Sequence, residues 1–397
     1  MKLTKMFRVS ATVLGCLLVL ISCRQGEDAA SSPLAPVDVK VVNHLVAVLG
    51  HESRVLELVD PASGEKVKSI RLAQPPNGMA VDGATVYVAE GGARGVVEVV
   101  DLESGELKRS FPAGHTPMSP VLREGKLYVA CRFDSRVLDM DAAAGTVLNS
   151  WNVPREPVVL AVSPDGRKIW AAGHLPAGAA DGDFTAAALT LVEDGKAVHF
   201  PLSNGTQGVR GMAISPDGRY LAVAHVLSRY QAPTTQLDRG WMNTNAVTVI
   251  NTDEPDKPHP VLLDDPDAGA ANPWGVSFSG DGGKLFVTHA GTHELSVIDF
   301  PALLERMKRE DRSNEPVSER LGFLHGLRAR IALPLNGPRS VASDGKNVYV
   351  AGYFSDSLAE ISLKDARKSR AIPLNAPIRP SREKLGERVY NDAARCD

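Results

Sequence analysis

A few side chains in this sequence have the chemistry to hold a ligand, and they recur at matched places. Short apolar strands repeat along the chain, and the residues ending them form a column: Leu49, Glu90, Cys131, Gly173, His225, His289 and Gly352. A second column stands just before another repeating strand: Asn77, Met118, Val158, Arg210, Trp274 and Arg339. His174 and His293 fall in loops nearby. Imidazoles and carboxylates gathered in space bind cations, whereas guanidinium and amide donors bind anions and carboxylates. The expected ligand-binding set is Asn77, Glu90, Arg210, His225, Trp274, His289, His293 and Arg339, with an anion, a carboxylate ligand and a metal all compatible with it. The blander alternative is that these groups hydrate an opening or satisfy loop carbonyls, as most strand-end histidines do. Cys131 reads as a small buried apolar residue. Asp264, Asp265 and Asp267 lack the regular spacing and glycine of a calcium loop and read as a solvated turn. No HExxH, GxSxG or nucleophile–base arrangement occurs, so no catalytic residue is assigned and an enzyme is the less favoured expectation.

The columns exist because the chain repeats. Marker strands begin at Leu45, Val86, Leu127, Ile169, Leu221, Leu285 and Val348, at intervals of 41, 41, 42, 52, 64 and 63 residues. A period near 41 suits four short strands with their turns, the unit of one propeller blade. Ahead of most markers comes an apolar strand closed by Asp-Gly, as in LAVSPDG at 160–166 and MAISPDG at 212–218. That dipeptide suits a tight hairpin because glycine accepts positive φ. The expected fold is therefore all-β, a seven-bladed propeller of four-stranded antiparallel blades over residues 37–376. Val37 to Val42 could begin blade one or complete the last blade. Ala302 to Asp311 carries the one strong helical pattern.

Strand order assigns the two faces. First-to-second and third-to-fourth turns share one face, which carries the tight SPDG and SGE turns and the helix. Second-to-third loops and blade links share the other. The long insertions, after Gly173 and over His225 to Asn245, with the link Asp264 to Trp274, lie on this second face. Long loops on a rigid scaffold are where binding residues tend to sit.

Phrases such as VYVAE, SPDG, PWGVSFSGDG and LSVID resemble the YVTN-type seven-bladed propellers, which also look like lactonase propellers. The resemblance implies the fold and says little about function, although a lactonase-like or metal-dependent activity is one alternative it leaves. RGWMNTN at 239–245, GPRSVASDGKNVYVAGYFSDSL at 337–358 and SREKLGERVYNDAARCD at 381–397 resemble a narrower group. In that group a YVTN propeller precedes a di-haem, cytochrome c peroxidase-type domain. Gly386, Glu387, Tyr390, Asp392 and Cys396 match the opening of such a domain, with Tyr where Phe is usual. No CxxCH follows, so no covalently bound haem is expected on these residues, and 377–397 is expected to be a linker. Fold and loop distribution point to a docking module, and the resemblance implies, as the alternative, an accessory or the propeller half of a periplasmic peroxidase-like redox protein.

The other end resembles a bacterial lipoprotein precursor. Lys2, Lys5 and Arg8 precede an apolar run from Val9 to Ile21 that ends in Leu20-Ile21-Ser22-Cys23. The expectation is a signal peptide over 1–22, lipidation at Cys23 and a flexible tether over 23–36. Arg24 in place of Asp favours the outer membrane, facing the periplasm or the cell surface. With Cys16 and Cys23 accounted for, only Cys131 and Cys396 remain, so no disulfide framework is indicated. A net charge of −3 without basic clusters argues against nucleic acid. A protein or small ligand on the insertion-bearing face is the expected partner, a c-type cytochrome being one candidate, with membrane contact through the lipid alone.

Overall fold

The computed structural model describes residues 32–233, 242–310, 319–365, 367–376 and 380–395. The signal region, Cys23, most of the tether, Cys396 and residues 239–241 of the RGWMNTN phrase lie outside them. The described strands assemble into seven separate four-stranded antiparallel sheets, each taken from consecutive chain. Blade one comprises Pro36–Val42, Leu45–Gly50, Val55–Asp60 and Glu65–Arg71. Six more blades follow with inner strands Pro76–Asp82, Pro117–Arg123, Pro157–Val162, Thr206–Ile214, Pro273–Phe278 and Pro338–Ser343. The molecule is a seven-bladed β-propeller.

The composition of the strands explains the layering. Second strands such as Thr85–Glu90 and Lys284–His289 are buried almost throughout, because neighbouring blades cover both sheet faces. Each face contributes to a different inter-blade core: Val86 and Val88 pack with Leu49 and Leu56 of blade one, while Tyr87 packs with Val129 of blade three. Outer strands such as Val147–Asn152 are mostly exposed. In the SPDG turns the serine hydroxyl donates to the aspartate, Ser163 to Asp165 at 2.5 Å and Ser215 to Asp217 at 2.6 Å. Gly166 and Gly218 take φ of +71° and +76°, which a β-carbon would strain.

Register moves one residue of the first column. Val42 faces Leu45 and Val41 faces Val46, whereas Asp82 faces Thr85 and Val81 faces Val86. Val46 is therefore the counterpart of Val86, and Gly50, not Leu49, ends the blade-one strand beside Glu90. The apolar run LVAV contains two equally good starting points, and only the hairpin pairing separates them.

The ring closes without strand exchange, since Pro36–Val42 begins blade one and Ser369–Pro373 completes blade seven. A clasp replaces the shared sheet. The two oxygens of the Asp356 carboxylate accept the amides of Leu34 and Ala35, each at 2.9 Å. Asp38 in the inner strand accepts from Ser340 of blade seven at 2.7 Å and from the Met79 amide of blade two at 2.9 Å. Replacing Asp356 with Asn keeps a residue tolerant of its φ of 46° but leaves one buried amide without an acceptor. The expected cost is about 1–2 kcal/mol, read as a lower urea midpoint. An unchanged midpoint would remove the clasp from the account of closure.

Among the described residues two α-helices interrupt the pattern. Helix α1, Phe300–Glu310, lies between the third and fourth strands of blade six and buries Phe300 and Leu303 against blades five and six. Helix α2, Arg382–Tyr390, is capped by Ser381, whose hydroxyl accepts the Lys384 amide at 3.2 Å. It docks on second-to-third loops: Lys384 pairs with Glu52, and the Ala393 amide bonds Gly291. The segment expected to be a linker thus includes a helix packed on the insertion-bearing face.

Candidate functional site

The second column proves to be one level of the central channel. Hairpin register aligns Asn77, Met118, Val158, Arg210, Trp274 and Arg339, and adds Val37 from blade one as the seventh member. All but Arg339 line a cavity of about 230 Å³ at the channel mouth. Arg339 packs just behind it. The Arg210 guanidinium lies 4.3 Å from the Trp274 ring centroid, and that of Arg339 lies 4.4 Å from it. Arg339 also stacks at 3.3 Å on Tyr353, which Lys384 of α2 approaches at 5.2 Å. Cations thus alternate with aromatic rings from blade five to the C-terminal helix, each contact strengthened by exclusion of water.

Electrostatics follow the packing. Burial pulls Arg339 down to about 10, with Tyr353 opposing the shift and Arg210 adding to it. Arg210, open to channel solvent, is lowered by its packed surroundings and then by Arg132. Arg132 is itself bonded to Glu156 at 2.9 Å. Among the described residues no carboxylate forms a hydrogen bond or ion pair with Arg210 or Arg339. Asn77 has a structural duty, since its amide donates to the Gly91 and Pro117 carbonyls at 3.0 Å each, fastening blade two to blade three.

The first column goes elsewhere. Glu90, His225 and His289 are fully buried between blades and do not reach the channel. His225 Nε2 sits 2.6 Å from the Thr248 hydroxyl and Nδ1 3.1 Å from the Val226 carbonyl. Nδ1 therefore donates and Nε2 accepts, and burial pushes the ring down to about 4. His289 Nε2 pairs with the Ser296 hydroxyl at 2.7 Å, and burial, then Arg328 and Arg330, hold it well below the usual range. Glu90 accepts the Gln74 amide at 3.0 Å and lies diagonal to Glu98 on the same sheet face, since Glu90 pairs with Val96 and Glu98 with Val88. Burial first, then the Glu98 charge, pushes it up to about 8 against the pull of the Gln74 amide. Cys131 occupies the same column, its thiol donating to the Ala113 carbonyl at 3.0 Å and raised to about 12 by burial.

His293 and His174 are fasteners. His293 Nδ1 accepts the Gly337 amide at 3.1 Å, which places its proton on Nε2, 3.2 Å from Asp392. It therefore latches the segment after α2. His174 bonds the Val209 carbonyl at 2.8 Å, across blades four and five. Asp264, read as solvated, is buried and accepts from Asn245 and Ala270, while Asp265 pairs with Arg328 and Arg330. Among the described residues no group of three or more His, Cys, Asp and Glu converges as a metal-holding cluster.

Two features went unseen in the sequence. Tyr353 extends the aromatic–cation stack, and its only signal was its place one residue beyond the column at Gly352. The second feature is a rim of exposed apolar side chains on the same face. Phe133 follows the second strand of blade three; Phe184 stands in the blade-four insertion; Tyr230 and Met242 belong to the blade-five insertion. Leu385, Val389 and Tyr390 project from α2, the last 90% exposed. The insertions brace each other, since Tyr230 donates to Asn204 at 2.9 Å and Asn204 to the Asp183 carbonyl at 3.1 Å.

No family model matches the chain. The hydrazine synthase subunit beta of Kuenenia stuttgartiensis is 28% identical over 213 residues, 52% of this chain and 53% of that protein. The chain thus spans about half the length of the curated relative it matches. Among solved structures, Kuenenia stuttgartiensis hydrazine synthase superposes with a TM-score of 0.75 at 22% identity, over 85% of this chain and 98% of the matched one. A chain of the mitotic checkpoint complex superposes at 0.57 with 15% identity, over 81% and 85%. At these identities the likeness is one of fold. Both matched propellers come from multiprotein assemblies, one a synthase with subunits and the other a checkpoint complex.

Proposed function

We propose that this chain is an exported, Cys23-lipidated propeller of the YVTN type that docks a protein partner on its insertion-bearing face. The observation that carries the docking is the rim itself. Phe133, Phe184, Tyr230, Met242, Leu385, Val389 and Tyr390 all stand exposed on connections of blades three, four and five and on α2, on the face where the cationic mouth opens. Aromatic anchors amid polar surface are the residues that dominate protein interfaces. Similarity to a protein named as a synthase subunit supports the same reading.

The partner is proposed to be a periplasmic redox protein, a c-type cytochrome with an acidic docking surface. Two supports favour it: the net positive mouth formed by Arg210 and Arg339, and the cytochrome-like tail docked beside that mouth. In this reading the propeller binds no covalent haem and contributes position rather than chemistry. The anchor holds it at the outer membrane, facing the periplasm or the cell surface. The burial of His225 and His289 between blades takes from a metal-dependent or lactonase-like hydrolase its proposed ligands.

The test is a titration of the purified chain with individually purified periplasmic c-type cytochromes of the source cell. Phe184→Ala and Tyr390→Ala are each expected to weaken the complex at least tenfold while leaving the thermal midpoint in place. Binding that survives both substitutions would move the interface off this face. Failure of every cytochrome to bind would remove the redox partner.

A further inference from the structure

We propose that the channel mouth binds a small carboxylate bearing a short apolar tail. The level that holds Arg210 is divided by chemistry. Blades three and four contribute Met118 and Val158 side by side, Asn77 of blade two separates them from Val37 of blade one, and blades five and six contribute Arg210 and Trp274. At this level the arc of blades three and four is therefore aliphatic and the adjoining arc is cationic and aromatic. Water against the side chains of Met118 and Val158 finds no hydrogen-bond partner in them, so an amphipathic anion replaces it favourably.

The Arg210 geometry selects the head group. The Arg210 guanidinium carbon lies over the Trp274 ring, and among the described residues no acceptor takes a hydrogen bond from its N–H fork. That fork matches the two oxygens of a carboxylate. Neighbouring groups do not compete for the role. Arg132 is held by Glu156, Asn77 donates its amide to two carbonyls, and Lys40 lies 3.5 Å from Asp38. Asp38, the carboxylate on the cavity wall, already accepts from Ser340 and from the Val39 and Met79 amides. An incoming carboxylate therefore meets a guanidinium with no anionic partner of its own.

Size limits the tail. A cavity of about 230 Å³ holds roughly seven groups of water size at about 30 Å³ each. A straight carboxylate of four or five carbons fills it, with the chain laid on Met118 and Val158. The site shares Arg210 with the cationic mouth of the docking reading, but Phe184 does not line it and Val158 is not on the rim. Phe184→Ala therefore tests docking alone, and Val158→Asn tests this site alone.

The experiment is calorimetric titration of the full chain with butyrate, run beside sulfate as a tailless anion and 1-butanol as an uncharged tail. Butyrate is expected to bind at least tenfold more tightly than either. Arg210→Gln should weaken butyrate at least tenfold. Val158→Asn, which spares the guanidinium, should weaken butyrate severalfold and leave sulfate unchanged. Equal binding of sulfate and butyrate, indifferent to Val158→Asn, would reduce the site to a simple cationic patch and overturn the proposal. No heat with butyrate at millimolar concentration would overturn it too, and an unchanged thermal midpoint of each variant shows that loss of binding is not loss of fold.

Discussion

Replacing Glu90 with Gln should make the propeller more stable at pH 8 and leave it nearly unchanged at pH 5. Glu90 and Glu98 are both buried on the face of blade two that packs on blade one, and each has an oxygen without a donor among the described residues. The arrangement is satisfied when the pair shares one proton, so that one carboxyl donates to the other. Glu90 is accordingly pushed from an ordinary 4.5 up to about 8. A carboxyl held by the folded state with raised affinity stabilises fully below its unfolded value. That stability is lost as pH rises from about 4.5 through about 8, where the unfolded chain has released its proton and the folded chain has not. The size is on the order of 3–5 kcal/mol over the window, since each tenfold change in proton affinity is worth about 1.4 kcal/mol. Gln still accepts the Gln74 amide and can donate to Glu98 at every pH. The difference in thermal midpoint between variant and parent should therefore grow from near zero at pH 5 to several degrees in favour of the variant at pH 8. A difference that is flat with pH, or that reverses, would show that the pair does not share a proton.

The same two positions recur in blades five and six. His225 with Thr248, and His289 with Ser296, occupy the places of Glu90 and Glu98, one residue from the second strand and one from the third. The column of Glu90, Cys131, His225 and His289 is thus a set of polar and thiol groups between blades, each hydrogen-bonded to its own sheet or a neighbouring link. The sequence marked their shared level correctly, because a regular strand repeat fixes how far along each blade a residue lies. Reading them as channel-facing went astray for a geometric reason. A second strand has a first strand between it and the axis, so its side chains can point only toward the two adjacent blades. The runs VYVAE and LFVTH carried that information in their lack of alternation, apolar on both faces up to the last residue. Inner-strand residues have no such screen, which is why Arg210 and Trp274 line the channel. The rim escaped notice for another reason. Phe133 and Phe184 are single aromatic residues in polar connections and Tyr390 ends a short polar helix, and nothing in spacing distinguishes an exposed aromatic there from one folded inward. Their common face appears only when the loops that carry them are assembled around one mouth.

The two buried histidines set the opposite limb of the pH profile. His225 is lowered by burial from 6.5 to about 4, and His289 lies well below its ordinary value for the same first cause. A base whose folded affinity for protons is depressed leaves stability whole above about 6.5. That stability is lost as pH falls toward the folded value, because the unfolded chain takes up the proton first. For His225 the loss by pH 4 is on the order of 3 kcal/mol. The test must remove the titration without leaving an orphaned partner. His289→Phe with Ser296→Ala does so, since both members of the hydrogen bond go together, and the pair also eliminates the unpartnered Nδ1 of His289. His225→Phe with Thr248→Val is the matching change in blade five. Near pH 7.5 both double variants should unfold within about 1–2 kcal/mol of the parent, because the exchanged groups are similar in volume. Between pH 6.5 and pH 4.5 each should lose stability more slowly than the parent, and the quadruple variant more slowly still, since the two sites lie in different inter-blade cores and their effects should add. Urea midpoints across that range read the slope directly. Parent and variants falling in parallel would mean that the histidines are already protonated in the folded ring, against the hydrogen-bond pattern of His225, whose Nε2 accepts only when neutral.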